Sequence, residues 1–276
     1  MPTFENLYLA VLTKNEDDAD TSSTLNMTVN IGGQDILDKD YDPDMDEGEA
    51  ELLGGGLLDT PIDTTGLTNS SIRVGIRDDD AWGPQHVLVF GQTQPGFVPG
   101  STLALAMETD LVHWLSTDSS EGHLTMPVRL VSPGDSSTVI RRVLLLVDTI
   151  WLDDSDTGTD SPIELQVVAG GNIVLTQTIG DTPQPDLEPA TTNWYELDAS
   201  VPFTRGDVVA NGGIRLRILG DDAWRPMRLF VFGLDTASGR PNAVVTLVSV
   251  PVWSQGWLST DPSEGSASID LPLTSV

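Results

Sequence analysis

The chain of 276 residues contains no cysteine. That excludes disulfides, thiol catalysis and cysteine-ligated zinc or iron–sulfur centres. Lysine is nearly absent, with Lys14 and Lys39 alone, and histidine is limited to His86, His113 and His123. No stretch approaches the roughly 20 apolar residues that a membrane-spanning helix needs, so no transmembrane segment is expected. The segment Met1–Lys14 has no basic run followed by an apolar one, so no secretory signal is expected. On that footing the expected location stays open: cytoplasmic, held in an assembly, or exported by a non-classical route. Positive charge is scarce: 13 Lys and Arg stand against 42 Asp and Glu, for a net charge of -29. A nucleic acid would be repelled, and no basic stripe offsets that, so it is not expected as a partner.

The acid is mostly aspartate and the base mostly arginine, with 31 Asp, 11 Glu and 11 Arg. Two explanations stand. One is adaptation to high salt, where hydrated carboxylates keep a protein soluble and ions screen their repulsion. The other is a GC-rich genome combined with acidic loops that bind divalent cations. The densest acid lies in Asp35–Glu51, expected to be a solvated or cation-dependent loop inserted in the first half.

The chain repeats itself. Ile72-Arg-Val-Gly-Ile-Arg-Asp-Asp-Asp-Ala-Trp-Gly-Pro matches Ile214-Arg-Leu-Arg-Ile-Leu-Gly-Asp-Asp-Ala-Trp-Arg-Pro at an offset of 142. Trp114-Leu-Ser-Thr-Asp-Ser-Ser-Glu-Gly matches Trp257-Leu-Ser-Thr-Asp-Pro-Ser-Glu-Gly at 143, and Leu25–Gly33 echoes Ile163–Gly171 at 138. Blocks in one order with slowly drifting offsets point to two copies of one domain, at 1–135 and 139–276. The seam is the turn-rich Ser132–Ser137.

Within each copy the apolar period is two. Leu25, Met27, Val29 and Ile31 alternate with polar residues, as do Ile72, Val74 and Ile76, and Ile214, Leu216 and Ile218. This is the pattern of a half-buried antiparallel strand. Val87–Phe90, Val143–Val147 and Leu229–Phe232 read as strands covered on both faces. No window holds a 3.6-residue period. The expected fold is all-β: two tandem antiparallel β-sandwiches, each of about seven or eight strands.

Two acidic loops recur in each copy. One follows the opening strand, with Asp17, Asp18 and Asp20 in the first copy and Asp153, Asp154, Asp156 and Asp160 in the second. The other follows the central alternating strand, with Asp78, Asp79 and Asp80, then Asp221 and Asp222. Neighbouring loop tips could supply the six to eight oxygens that Ca²⁺ takes, and oxygen-only ligands favour Ca²⁺ over zinc or copper. The same residues also suit plain solvated turns. Asp40-x-Asp42-x-Asp44 resembles part of an EF-hand loop, but Met45 stands where the turn glycine belongs and no amphipathic helices flank it.

Trp82 and Trp224 adjoin the second acidic loop. Each either plugs the end of its sandwich with its indole N–H paired, or sits at a tip and inserts into a membrane or partner. Trp114 and Trp257 read as core or edge anchors. No Gly-x-Ser-x-Gly elbow, His-Glu-x-x-His or P-loop is present, and the second copy has no histidine, so no enzyme is expected. Asn26-Met-Thr28 and Asn69-Ser-Ser71 are sequons, relevant only to an exported chain.

These features resemble the PLAT/LH2 (polycystin-1, lipoxygenase, alpha-toxin) β-sandwich. The resemblance rests on Val143–Thr149, Asp156-Thr-Gly158-Thr159-Asp160-Ser161, Ile163–Val168 and Gly170-Gly171, with Leu7–Thr13, Asp20-Thr21-Ser22, Leu25–Ile31 and Gly32-Gly33 in the first copy. The acidic Asp35–Glu51 and the doubled Asp-Asp-Ala-Trp depart from the family's pattern. The resemblance implies Ca²⁺ at the acidic loops and a non-catalytic role at a membrane surface or a protein partner. The alternative expectation is a self-assembling structural subunit of a filament, sheath, capsid or decoration layer, working as a homo-oligomer through open sheet edges.

Overall fold

The computed structural model describes residues 3–63, 70–93, 102–151, 157–180 and 187–274. The chain is mostly β, with one short helix. It divides into two compact units, and the chain passes from the first to the second at Ser132 and Pro133.

Unit one comprises β1 (Thr3–Thr13), β2 (Leu25–Ile31), β3 (Gln34–Tyr41), β4 (Ala50–Asp63), β5 (Ser70–Ile76), β6 (Ala81–Trp82), β7 (Pro84–Gln92), β8 (Thr102–Glu108), β9 (Leu115–Ser116) and β10 (Thr125–Val128). Its larger strands pair in the orders β4-β1-β7-β8 and β10-β5-β2-β3, and β6 pairs β9. Leu7, Leu9 and Val11 of β1 cluster with Leu25, Met27 and Val29 of β2 and Ile72, Val74 and Ile76 of β5. The alternating side chains of both sheets therefore share one core, and each fully buried Leu, Ile or Val contributes roughly 1.5–3 kcal/mol. Val87–Phe90 is buried on both faces, with Phe90 stacked on Tyr8 at 4.8 Å.

The two-residue β11 (Ser132–Pro133) lies at the seam. Unit two comprises β12 (Val139–Thr149), β13 (Ile163–Ala169), β14 (Asn172–Ile179), β15 (Thr192–Thr204), α1 (Arg205–Asn211), β16 (Gly213–Ile218), β17 (Ala223–Trp224), β18 (Pro226–Asp235), β19 (Ala243–Val250), β20 (Trp257–Ser259), β21 (Gly265–Ser266) and β22 (Ser268–Leu271). The pairing orders are β15-β12-β18-β19, β14-β13-β16-β22 and β17-β20-β21. Strand for strand, these follow the orders of unit one. Val143, Leu145 and Val147 cluster with Ile163, Leu165, Val167, Ile214, Leu216 and Ile218. Unit two thus has a core cluster of its own.

Two expectations are corrected. The acidic stretch Asp35–Glu51 is not one loop: β3 takes its first part, and β4 begins at Ala50. Hydrogen bonding explains why so charged a segment becomes a strand. β3 is an edge strand in register with β2, from Leu25 opposite Tyr41 to Ile31 opposite Gln34. Its carboxylates find cations and amides: Arg77 binds Asp40 at 2.7 Å and Asp38 at 3.0 Å, and the Asn26 amide donates to both. That use of Asn26, which is buried in β2, also removes its sequon from reach. Asn69 lies outside the described residues. The second correction is α1, whose seven residues are too few to show a helical period in the sequence. A capping box marks its start, with Thr204 accepting from the Asp207 backbone N–H and Asp207 accepting from that of Thr204.

Candidate functional site

Three loops gather at one end of each unit, and the same bonds tie them. In unit one, Asp80 accepts from the Thr21 hydroxyl at 3.0 Å and the Ser22 backbone N–H at 3.3 Å. In unit two, Asp222 accepts from the Asp160 backbone N–H at 3.2 Å. Each aspartate also caps the next residue, Ala81 or Ala223, at 2.8 and 2.7 Å. The opening loop is folded on itself by a Thr hydroxyl that accepts from the N–H two residues on, Thr21 from Ser23 and Thr159 from Ser161. The third loop joins through Thr117, which donates to the Asp78 carbonyl, and through Thr260, which donates to the Gly220 carbonyl.

The third loop is the repeated Leu-Ser-Thr-Asp block. Asp118 accepts from the N–H and hydroxyl of Ser120, both at 2.8 Å, and Asp261 accepts in the same way from Ser263. Ser116 donates to Glu121 and Ser259 donates to Glu264. Gly122 and Gly265 are required here, because an added Cβ would lie 2.5 and 2.2 Å from the Trp114 and Trp257 carbonyl oxygens. The sequence repeat displays this block, but its role as a loop tie becomes evident only from the bonds.

The tryptophans behind the loops resolve the open alternative. Trp82 and Trp224 are fully buried, and their indole N–H groups bind Thr13 and Thr149. They are plugs, not insertion tips. Trp114 and Trp257 are half-buried and each lies under a cation, Lys14 at 5.3 Å and Arg225 at 5.9 Å.

The predicted ion ligands divide into two groups. Asp78, Asp80 and Asp222 are committed to donors of their own chain. Thr24, chiefly through its backbone N–H at 3.0 Å, holds the Asp78 carboxyl below the usual range. Hydrogen bonds from Ser120 and Ser263 do the same for Asp118 and Asp261. Asp79 accepts from the Thr117 hydroxyl at 3.4 Å. Asp17, Asp18, Asp20 and Asp221 are exposed, and Asp160 enters the ties through its backbone. Asp153, Asp154 and Asp156 lie outside the described residues. Among the described residues, no three Asp, Glu or His side chains are grouped as a metal site needs. His86 is buried and accepts from the Asp110 N–H at 3.2 Å, and His113 meets His123 edge-on at 5.6 Å. No helix among the described residues is long and apolar enough to cross a membrane.

No protein-family model matches the sequence, and neither a curated protein nor a solved structure matches the chain.

Proposed function

We propose that the chain is a non-catalytic binding protein built from two copies of one β-sandwich, similar in plan to a PLAT domain. Its partner, a protein or a membrane surface, is engaged through the acidic loop ends. One observation carries the reading: the same three loops are tied by the same carboxylate and hydroxyl bonds in both units. Such ties preorganise a loop surface, which lowers the ordering cost of binding. Asp17 and Asp20 of unit one and Asp221 of unit two are exposed, and in each unit Ca²⁺ would draw on that unit's own loop carboxylates with backbone carbonyls and water.

The test is a thermal melt of chelator-treated protein with and without millimolar Ca²⁺, with Mg²⁺ in parallel. An ion that binds only the folded state raises the midpoint. A rise with Ca²⁺ that exceeds the rise with Mg²⁺ is expected. Identical melts in all three conditions would overturn the calcium-dependent part.

One feature favours a second reading, self-assembly. The edge strand β14 carries no charged residue and exposes Ile173, whereas the equivalent edge β3 carries Asp35, Asp38, Lys39 and Asp40. Uncharged edges are templates for further strand pairing. Light scattering that shows growth with concentration in molar salt, abolished by Ile173→Lys, supports this reading, and a monomer throughout refutes it.

A further inference from the structure

Arg73 stands apart from every other arginine. Among the described residues it is the one arginine whose side chain makes no ion pair, hydrogen bond or ring contact. Arg77, Arg129, Arg141, Arg142, Arg215, Arg217 and Arg228 pair with carboxylates. Arg205 donates to the Thr274 carbonyl, Arg225 lies over Trp257, and Arg240 has an interaction of its own. A lone guanidinium is unexpected in a chain with 42 carboxylates.

Register explains the isolation. Arg73 in β5 lies opposite Thr28 of β2 and Pro127 of β10. Its counterpart at the 142-residue offset, Arg215, lies opposite Asp270 and binds it at 2.6 Å. Pro127 thus stands where unit two has the pairing carboxylate. Two residues on, unit two has Arg217 bridged to Glu164 at 3.0 Å, and unit one has Gly75. A side chain there would meet the Thr125 methyl at 2.8 Å and the Leu124 carbonyl at 2.9 Å. The outward face of unit one holds a depression of about 290 Å³ beside Arg73, and the corresponding face of unit two has one lined by Arg215 and Asp270, where the guanidinium is already paired. Thr28, Asn30, Asp35, Ser71 and Thr125 line the depression of unit one together with Arg73.

We propose that this depression binds a carboxylated sugar, with Arg73 taking the carboxylate. The lining consists of hydroxyls, amides, one carboxylate and one guanidinium, which suits a polyol and not an apolar ligand. A guanidinium grips a carboxylate through two parallel hydrogen bonds. Asp35 and the amides and hydroxyls serve the ring hydroxyls. Asp35 also disfavours a polyphosphate, whose several charges one arginine cannot balance. The volume lies at the small end of ligand pockets and fits one sugar ring. The ligand is either a free sugar acid or a uronate unit of a polysaccharide.

Titration calorimetry of the whole protein with D-glucuronate, an oligouronate and D-glucose tests the idea. Binding of one or both uronates, with glucose silent, is expected. Binding of glucuronate alone identifies a free acid as the source, and binding of the oligouronate alone identifies a polymer unit. Arg73→Gln weakens binding by about tenfold or more, the value of one charge-assisted contact. Pro127→Asp does the same while keeping the arginine, because it recreates the pairing of unit two. Arg215→Gln leaves binding unchanged. Silence with both uronates, equal binding of glucose, or undiminished binding by folded Arg73→Gln overturns the proposal.

Discussion

The indole N–H of Trp82 donates to the Thr13 hydroxyl at 3.1 Å, at a site where both residues are fully buried. Unit two repeats the bond from Trp224 to Thr149 at 3.0 Å. A buried indole N–H needs a hydrogen-bond partner once its ring is out of water. The bond ties the last residue of the first strand to the tryptophan that closes the loop end. Thr13→Val or Thr149→Val keeps the shape of the side chain and orphans the donor. Each substitution should cost about 1–3 kcal/mol, measured as a lower urea midpoint.

Asp148 and Arg228 form an ion pair across β12 and β18, with Asp148 nearly inaccessible to water. Burial pushes the Asp148 carboxyl up, opposed by Arg228 and by the Thr192 hydroxyl. Unit one builds the same place from Leu12 opposite His86. The pair is therefore replaceable as a pair but not one partner at a time. Arg228→Leu alone leaves a buried carboxylate without its cation and should cost about 3–5 kcal/mol. Adding Asp148→Leu to that variant should recover most of the loss. Chemical denaturation of the two variants beside the parent checks both values.

The strands were legible because their alternation is unbroken. Ile72, Val74 and Ile76 could bury one face in no other regular way, and all three are buried. The Asp-Asp-Ala-Trp and Leu-Ser-Thr-Asp repeats located the loop ends. Their charge misled, however, because an aspartate that caps a backbone N–H and one that waits for an ion look identical in a sequence. Asp80 and Asp222 are of the first kind. Asp35–Tyr41 was hidden for a different reason. Its partners, Asn26 and Arg77, come from two other segments and are brought to it by the fold. Arg73 was invisible as a special residue because its isolation depends on Pro127, 54 residues away in the chain.

Acid should expose the loop ties. Asp118 and Asp261 are held below the usual carboxyl range by bonds from Ser120 and Ser263, made only in the folded chain. The unfolded carboxyls titrate near the ordinary value of about 3.9. Above that value the depressed groups contribute stability, and the contribution is lost as pH falls through their folded values. General relief of repulsion among 42 acidic groups acts in the opposite sense. A single melting curve therefore mixes the two effects, and a variant separates them. The gap in melting temperature between the parent and Asp118→Asn/Asp261→Asn should be widest near neutral pH and close as pH drops below about 4. A gap that stays constant with pH would show that the ties do not depend on charge.

Gly122 and Gly265 set the limit on how the Leu-Ser-Thr-Asp turn can vary. Each returns beneath the carbonyl of the tryptophan that opens its block, so an alanine methyl would press on main chain and not on a side chain that can swing away. The main chain there cannot yield cheaply: the Ser116 N–H donates to the His123 carbonyl and the His123 N–H donates to the Trp114 carbonyl, and β20 pairs β21 in unit two. Gly122→Ala and Gly265→Ala should each cost about 1–3 kcal/mol as overpacked sites. Gly170→Ala makes the contrast, since open space surrounds it and its penalty comes from its positive φ alone. Amide hydrogen exchange distinguishes the two origins. Gly265→Ala should speed exchange throughout β20 and β21, whereas Gly170→Ala should change exchange only in the hairpin between β13 and β14.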